Sequence, residues 1–187
     1  MSSIRVVEYD AAWPDIFERL RRRAWAVVGD FALSIEHVGS TSVPGLAAKP
    51  IVDMSVVVAS EADVPRAIER LATIGYEHRG DLGVAGREAF YSPPHLPAHH
   101  LYVCPAGSLG LRNHLAVRDY LRANPGAARE YAALKQKLAA RHPHDIEAYI
   151  DGKTGFILDI LRQAGLAPEQ LQSIADTNRQ PPRNEPS

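Results

Sequence analysis

The segment HVGSTSVPGLAAKPIVDMSVVV, residues 37–58, sets a small-residue turn between two apolar stretches and places one carboxylate, Asp53, inside the second. Gly39, Ser40, Thr41 and Ser42 offer flexible backbone N–H groups and three hydroxyls, chemistry suited to gripping a phosphate. Lys49 adds a cation just before the second stretch. In a strand of period two, Ile51, Asp53, Ser55 and Val57 face one way and Val52, Met54, Val56 and Val58 the other. A carboxylate in such a strand is costly unless it is paired, hydrogen-bonded or bound to a cation. Two arrangements satisfy it. In one, a nucleotide phosphate sits in the turn with a divalent metal between it and Asp53. In the other, the turn is closed by its own hydroxyls and Asp53 pairs with a structural Arg or Lys. A P-loop is excluded, because Lys49 is followed by Pro50 instead of Ser or Thr.

Further chemistry lies downstream. In HHLYVC (99–104), His100 and Tyr102 share a face opposite His99, Leu101 and Val103. His100 is either a metal ligand or general base, or a hydrogen-bonded structural histidine. Arg118 and Lys153 stand on apolar helical stripes, where a charge needs a partner. Arg118 has Asp119 beside it and reads as a structural pair. Lys153 has no acid at i±4 and reads as a ligand contact, with Arg87 a third candidate for phosphate. Cys104 reads as a small buried hydrophobe and His37 as a brace for the turn.

These groups need a scaffold. Residues 12–28 have the spacing of an amphipathic helix, 34–39 and 50–58 read as strands, and Ser60 with Asp63 forms a capping box for a helix ending at Gly75. GREAFYS (86–92) and HHLYVC read as a hairpin whose connection is excluded from regular structure by three prolines. Three helices follow from Ser108. The order predicts an α+β fold, a mixed β-sheet with helices packed on it and a C-terminal helical segment. One domain is expected over 1–165, with 166–187 a polar and largely disordered tail.

Composition narrows the classes. A net charge of −1 supplies no positive field for nucleic acid, and RLRRR (19–23) reads as a solvated helix face. No apolar run approaches the roughly 20 residues of a membrane span. MSSIRVVEYD lacks the pattern of an export signal, so the cytoplasm is expected. One cysteine allows neither an internal disulfide nor a zinc motif.

EHVGSTSVPGLAAKPIVDMSV, together with HHLYV, HLAVRDYLRANP, EYAALKQKLAARHP and EAYIDGKTGFI, resembles the GrpB family of the nucleotidyltransferase superfamily across roughly residues 4–165. The resemblance implies a nucleotidyltransferase-like fold, in which a Gly-Ser turn cradles a triphosphate and carboxylates on the next strand hold magnesium. Gly39 and Ser40 match the turn, and Asp53 matches the first carboxylate. The second carboxylate position is Ser55, and the family's His-x-His becomes His100-x-Tyr102. Glu88 is therefore the leading candidate for the missing metal ligand and Glu36 a weaker one.

Two functions remain open. One is a magnesium-dependent transfer of a nucleoside monophosphate to a small acceptor, with Asp53, His100 and Glu88 catalytic. The other is a non-catalytic nucleotide or phosphometabolite binding module, linked through the resemblance to coenzyme A metabolism. The expected partner is a nucleoside triphosphate or related phosphorylated small molecule. A hydrolase built on Ser42 or Cys104 lacks a nucleophile-elbow pattern.

Overall fold

The apolar run after the turn becomes an inner strand of a five-stranded mixed sheet in this computed structural model, which describes residues 3–179. The strands are β1 (Ser34–Val38), β2 (Val52–Val58), β3 (Glu77–Gly80), β4 (Glu88–Tyr91) and β5 (His99–Pro105), in the order β1-β2-β5-β4-β3. Only the β2–β5 pair is parallel among these neighbours. The helices are α1 (Trp13–Val28), α2 (Val64–Ala72), α3 (Leu109–Ala123), α4 (Pro125–Arg141), α5 (Ile146–Gln163) and α6 (Pro168–Arg179). The α+β architecture is the one expected from the order of elements.

Alternation along β2 decides the two faces of the sheet. Val52, Met54, Val56 and Val58, with Leu101 and Val103 of β5, pack under α1 and α2 in the largest apolar cluster. Each such side chain contributes about 1.5–3 kcal/mol of burial. On α1 the buried residues Trp13, Phe17, Leu20, Ala24 and Val28 recur every three or four positions, and Pro14 fits its first turn. The Ser60–Asp63 capping box forms, with the Ser60 amide donating to Asp63 Oδ2 at 3.1 Å, and a short 3-10 turn leads into α2. The opposite face carries Asp53 and Ser55 and meets the C-terminal helices. There Val57 and Cys104 pack on Leu111 of α3, and burial pushes the Cys104 thiol up to about 12, consistent with an inert apolar role.

Two elements differ from expectation. Strand β3 has the sequence EHRG, with no apolar alternation, and pairs at the sheet edge through a register shift between His78 and Gly80. Its backbone pairing with β4 does not depend on a hydrophobic pattern. The second is the tail. Residues 168–179 of the supposedly disordered segment form α6, because Leu166, Leu171 and Ile174 close over Leu161. Its polar, proline-rich end masks that apolar spacing in the sequence, and residues 180–187 lie outside the described part. Leu171→Ala is expected to lower unfolding stability by about 2 kcal/mol, since it removes buried methyl groups. Chemical denaturation would check this, and an unchanged midpoint would mean that α6 is not packed in solution.

Candidate functional site

The turn after β1 is built for close approach to Asp53. The antiparallel register sets Val38 opposite Asp53, so Gly39 lies beside the carboxylate. Gly39 has φ +68° and ψ −176°, a backbone region essentially confined to glycine. A Cβ there would also fall within the Asp53 carboxylate. Ser40–Ser42 then form one 3-10 turn. Its outer side is held by structural bonds. Ser42 Oγ donates to the Gly39 carbonyl at 2.6 Å, while Arg122 of α3 donates twice to the Ser42 carbonyl, at 2.7 and 3.0 Å. His37 is hydrogen-bonded to Thr41 Oγ1 at 3.0 Å and stacks on Phe17, and burial lowers its pKa to about 4. Arg118 donates to Glu36 and Asp119, both at 2.8 Å, which takes Glu36 out of any metal set.

Parallel pairing brings Asp53 of β2 level with His100 of β5. Cross-strand partners share a face, so the two side chains meet: His100 Nδ1 donates to Asp53 Oδ1 at 2.8 Å. Burial raises the Asp53 pKa, but the His100 hydrogen bond and charge, with His114 and Lys153, outweigh it and hold the carboxyl below its ordinary value. Asp53 is therefore ionised at neutral pH. An ionised carboxylate only accepts, which fixes Nδ1 as the donor.

Asp53 and His100 open onto a cavity of about 390 Å³ between the sheet and helices α4 and α5. Ser40 and Thr41 of the turn line it, as do Lys49, Arg87, Lys135 and Lys153. Asp53 is the one carboxylate on its wall among the described residues. Burial, then the charge of Lys49, lowers the Lys153 pKa to about 8. Lys135 is only 2% exposed, donates to the Ala47 carbonyl at 2.6 Å, and is lowered to about 7 by burial and then by Lys153. Arg87 stacks on Tyr102 at 4.8 Å, and its buried Nε has no hydrogen-bond partner among the described residues. Crowded cations and an orphaned donor give this cavity a positive lining with unsatisfied hydrogen-bonding capacity.

Lys135 went unread in the sequence, although it follows Tyr131 by four and precedes Leu138 by three on a buried stripe. The same misplaced-cation signal that singled out Lys153 would have found it. Arg122, which grips the turn, and His114 carried no comparable signal.

Three expected contributors are absent from the cavity wall: Gly39, which lies against the Asp53 carboxylate, Ser42 and Glu88. Ser42 is turned back into its own loop. Glu88 pairs opposite Val103, placing it on the sheet face away from Asp53, where it meets His78 Nε2 at 2.6 Å. The hairpin forms as expected, but its register puts Arg87 and Ala89 on the Asp53 side instead. Ser55 is fully buried and hydrogen-bonded to His114 Nδ1 at 3.0 Å. Burial lowers the His114 pKa to about 4, so that imidazole is neutral at pH 7. A carboxylate at position 55 would thus be buried beside a neutral ring, and Ser55→Asp does not simply restore a metal ligand. No cluster of three His, Cys, Asp or Glu able to hold a metal occurs among the described residues. A two-metal centre does not fit a face with one carboxylate and four cationic side chains.

No helix of the described residues is long and apolar enough to cross a membrane. The chain is 40% identical over 154 residues to UPF0157 protein YqkA of Bacillus subtilis, covering 82% of this chain and 45% of that protein, so it spans about half the length of that relative. It superimposes on the crystal structure of conserved protein GrpB from Enterococcus faecalis with a TM-score of 0.76 at 37% identity, covering 90% and 98% of the two chains. A more distant likeness, to the Cid1 poly(U) polymerase, has a TM-score of 0.51 at 11% identity over 81% of this chain and 48% of that one. It extends to the fold alone, which is nucleotidyltransferase-like. With the GrpB protein model matching residues 3–163, the chain belongs to the GrpB family.

Proposed function

We propose that this chain binds a nucleoside triphosphate or a related phosphorylated small molecule in the cationic cavity, as a recognition site without two-metal transfer chemistry. The convergence of Lys49, Lys135, Lys153 and Arg87 beside the Ser40–Thr41 turn carries this reading. Phosphate oxygens would satisfy Arg87 Nε and relieve repulsion between the lysines. Transfer of a nucleoside monophosphate requires more negative charge around metal than Asp53 supplies, and Ser55 is committed to His114. Magnesium enters this reading with the ligand: it would be held largely by phosphates and water, with Asp53 the carboxylate that this chain would contribute. When bound it would neutralise phosphate charge. Asp53 and His100 would orient the ligand on the β2–β5 side, and the lysines would hold its oxygens. A coenzyme A-related nucleotide, implied by the family resemblance, belongs among the ligands to be tried.

Isothermal titration with nucleoside triphosphates and inorganic tripolyphosphate, with and without magnesium, tests the reading. Asp53→Asn is expected to weaken the magnesium-nucleotide complex about tenfold, or ~1.4 kcal/mol, without weakening magnesium-free binding, from which a repulsive carboxylate has been removed. Equal effects in both arms would make Asp53 a structural acid. Absence of binding by every nucleoside triphosphate and by tripolyphosphate would end the nucleotide reading.

A further inference from the structure

A second cavity, of about 280 Å³, adjoins the first and shares Arg87, His100, Tyr102, Ile150 and Asn178 with it. Its chemistry is different. Leu82, Val84, Leu109 and Ile174 give it apolar walls, Asn113 of α3 and Asn178 of α6 bring neutral amides, and no carboxylate lines it among the described residues. The amide of Asn178 reaches Thr154 of α5 at 3.2 Å, so α6 is tied down where the two cavities meet. Helix α6 forms one side of this space through Ser173, Ile174 and Thr177, and lies beyond residues 3–163, the part matched to the family.

We infer that this compartment receives the flat heteroaromatic base of a nucleotide whose phosphates occupy the cationic cavity, and that α6 makes it selective for that base. The inference rests on the phosphate-binding reading above. Apolar walls with a few neutral amides suit a ring that buries its faces and hydrogen-bonds at its edge, whereas a second polyphosphate would find only Arg79, Arg87 and the imidazoles. The volume lies near the lower end of ligand pockets, roughly 300 Å³, and suits one ring system better than a whole second nucleotide. Arg87 stands at the junction with its buried Nε lacking a partner, where an acceptor on the ligand would complete it.

Calorimetry of ATP, GTP, CTP, UTP and inorganic tripolyphosphate on the full chain, Ser173→Phe and Asn113→Leu separates the two compartments. Both substitutions lie in the second cavity and outside the first. At least one nucleoside triphosphate is expected to bind the unsubstituted chain about tenfold or more tighter than tripolyphosphate. Each variant that melts cooperatively is expected to cut that advantage below about threefold with tripolyphosphate affinity unchanged. Equal affinity for nucleotides and tripolyphosphate in the unsubstituted chain, or an advantage that survives in the folded variants, would overturn the base compartment and leave the phosphate site standing. Loss of tripolyphosphate binding in a folded variant would also overturn it, because the two spaces would then not be separate. Failure of the unsubstituted chain to bind either class would remove the phosphate site and the base compartment together.

Discussion

Gly39→Ala is expected to lower the melting temperature by about 4–8 °C and to abolish anion binding in the cavity. The first effect follows from backbone strain of ~2 kcal/mol in a region that L-residues rarely adopt, spread over a chain of this length. The second follows from collision. The new methyl group meets the Asp53 carboxylate, which must turn away and give up its bond to His100, displacing the wall on which Ser40 and Thr41 stand. Differential scanning calorimetry followed by titration with tripolyphosphate checks both. A variant that melts normally and keeps its affinity would show that the turn does not hold this conformation in solution.

Lys135→Met is expected to weaken phosphate binding by about 10- to 100-fold, the worth of one charge-assisted hydrogen bond of ~1.5–3 kcal/mol. Stability at pH 7 should change little, because relief from burying an amine offsets the lost bond to Ala47. The pH dependence distinguishes this role from a structural one. The Lys135 pKa is depressed from its ordinary 10.5 to about 7, so the folded state disfavours the charged form. Its penalty on stability is therefore full below about 7 and fades as pH rises toward the unfolded value. Binding runs the other way. A bound anion favours protonated Lys135 and Lys153, so affinity should fall as pH rises from 7 to 9, and more shallowly in Lys135→Met. Titration at these two pH values reads the slopes. Identical slopes and affinities in the two proteins would place the anion away from Lys135.

The fate of Glu88 shows what a pattern of residues can miss. Its strand and the hairpin partner are legible in GREAFYS and HHLYVC, yet nothing in those letters says whether Glu88 or Ala89 sits opposite Tyr102. A one-residue change in register moves every side chain to the other face. The observed register delivers Arg87 to the cavity and sends Glu88 to His78, changing a candidate acidic centre into a cationic one.

Local pattern by itself determined the Gly39–Ser42 turn, the strand face that Asp53 shares with Ser55, the shared face of His100 and Tyr102, and the α+β order. These depend on the two-residue period of a strand, the conformational freedom of glycine and the spacing of apolar residues along helices, all short-range properties. Only the tertiary structure decided that Asp53 meets His100, that Lys135 is buried 88 positions from the carbonyl it contacts, and that α6 folds back against α5. Those outcomes depend on parallel pairing of strands distant in sequence and on which apolar surfaces remain uncovered once the sheet has formed. Neither is encoded within a window of neighbouring residues: the energy that selects them comes from burying surfaces that exist only after the chain has folded.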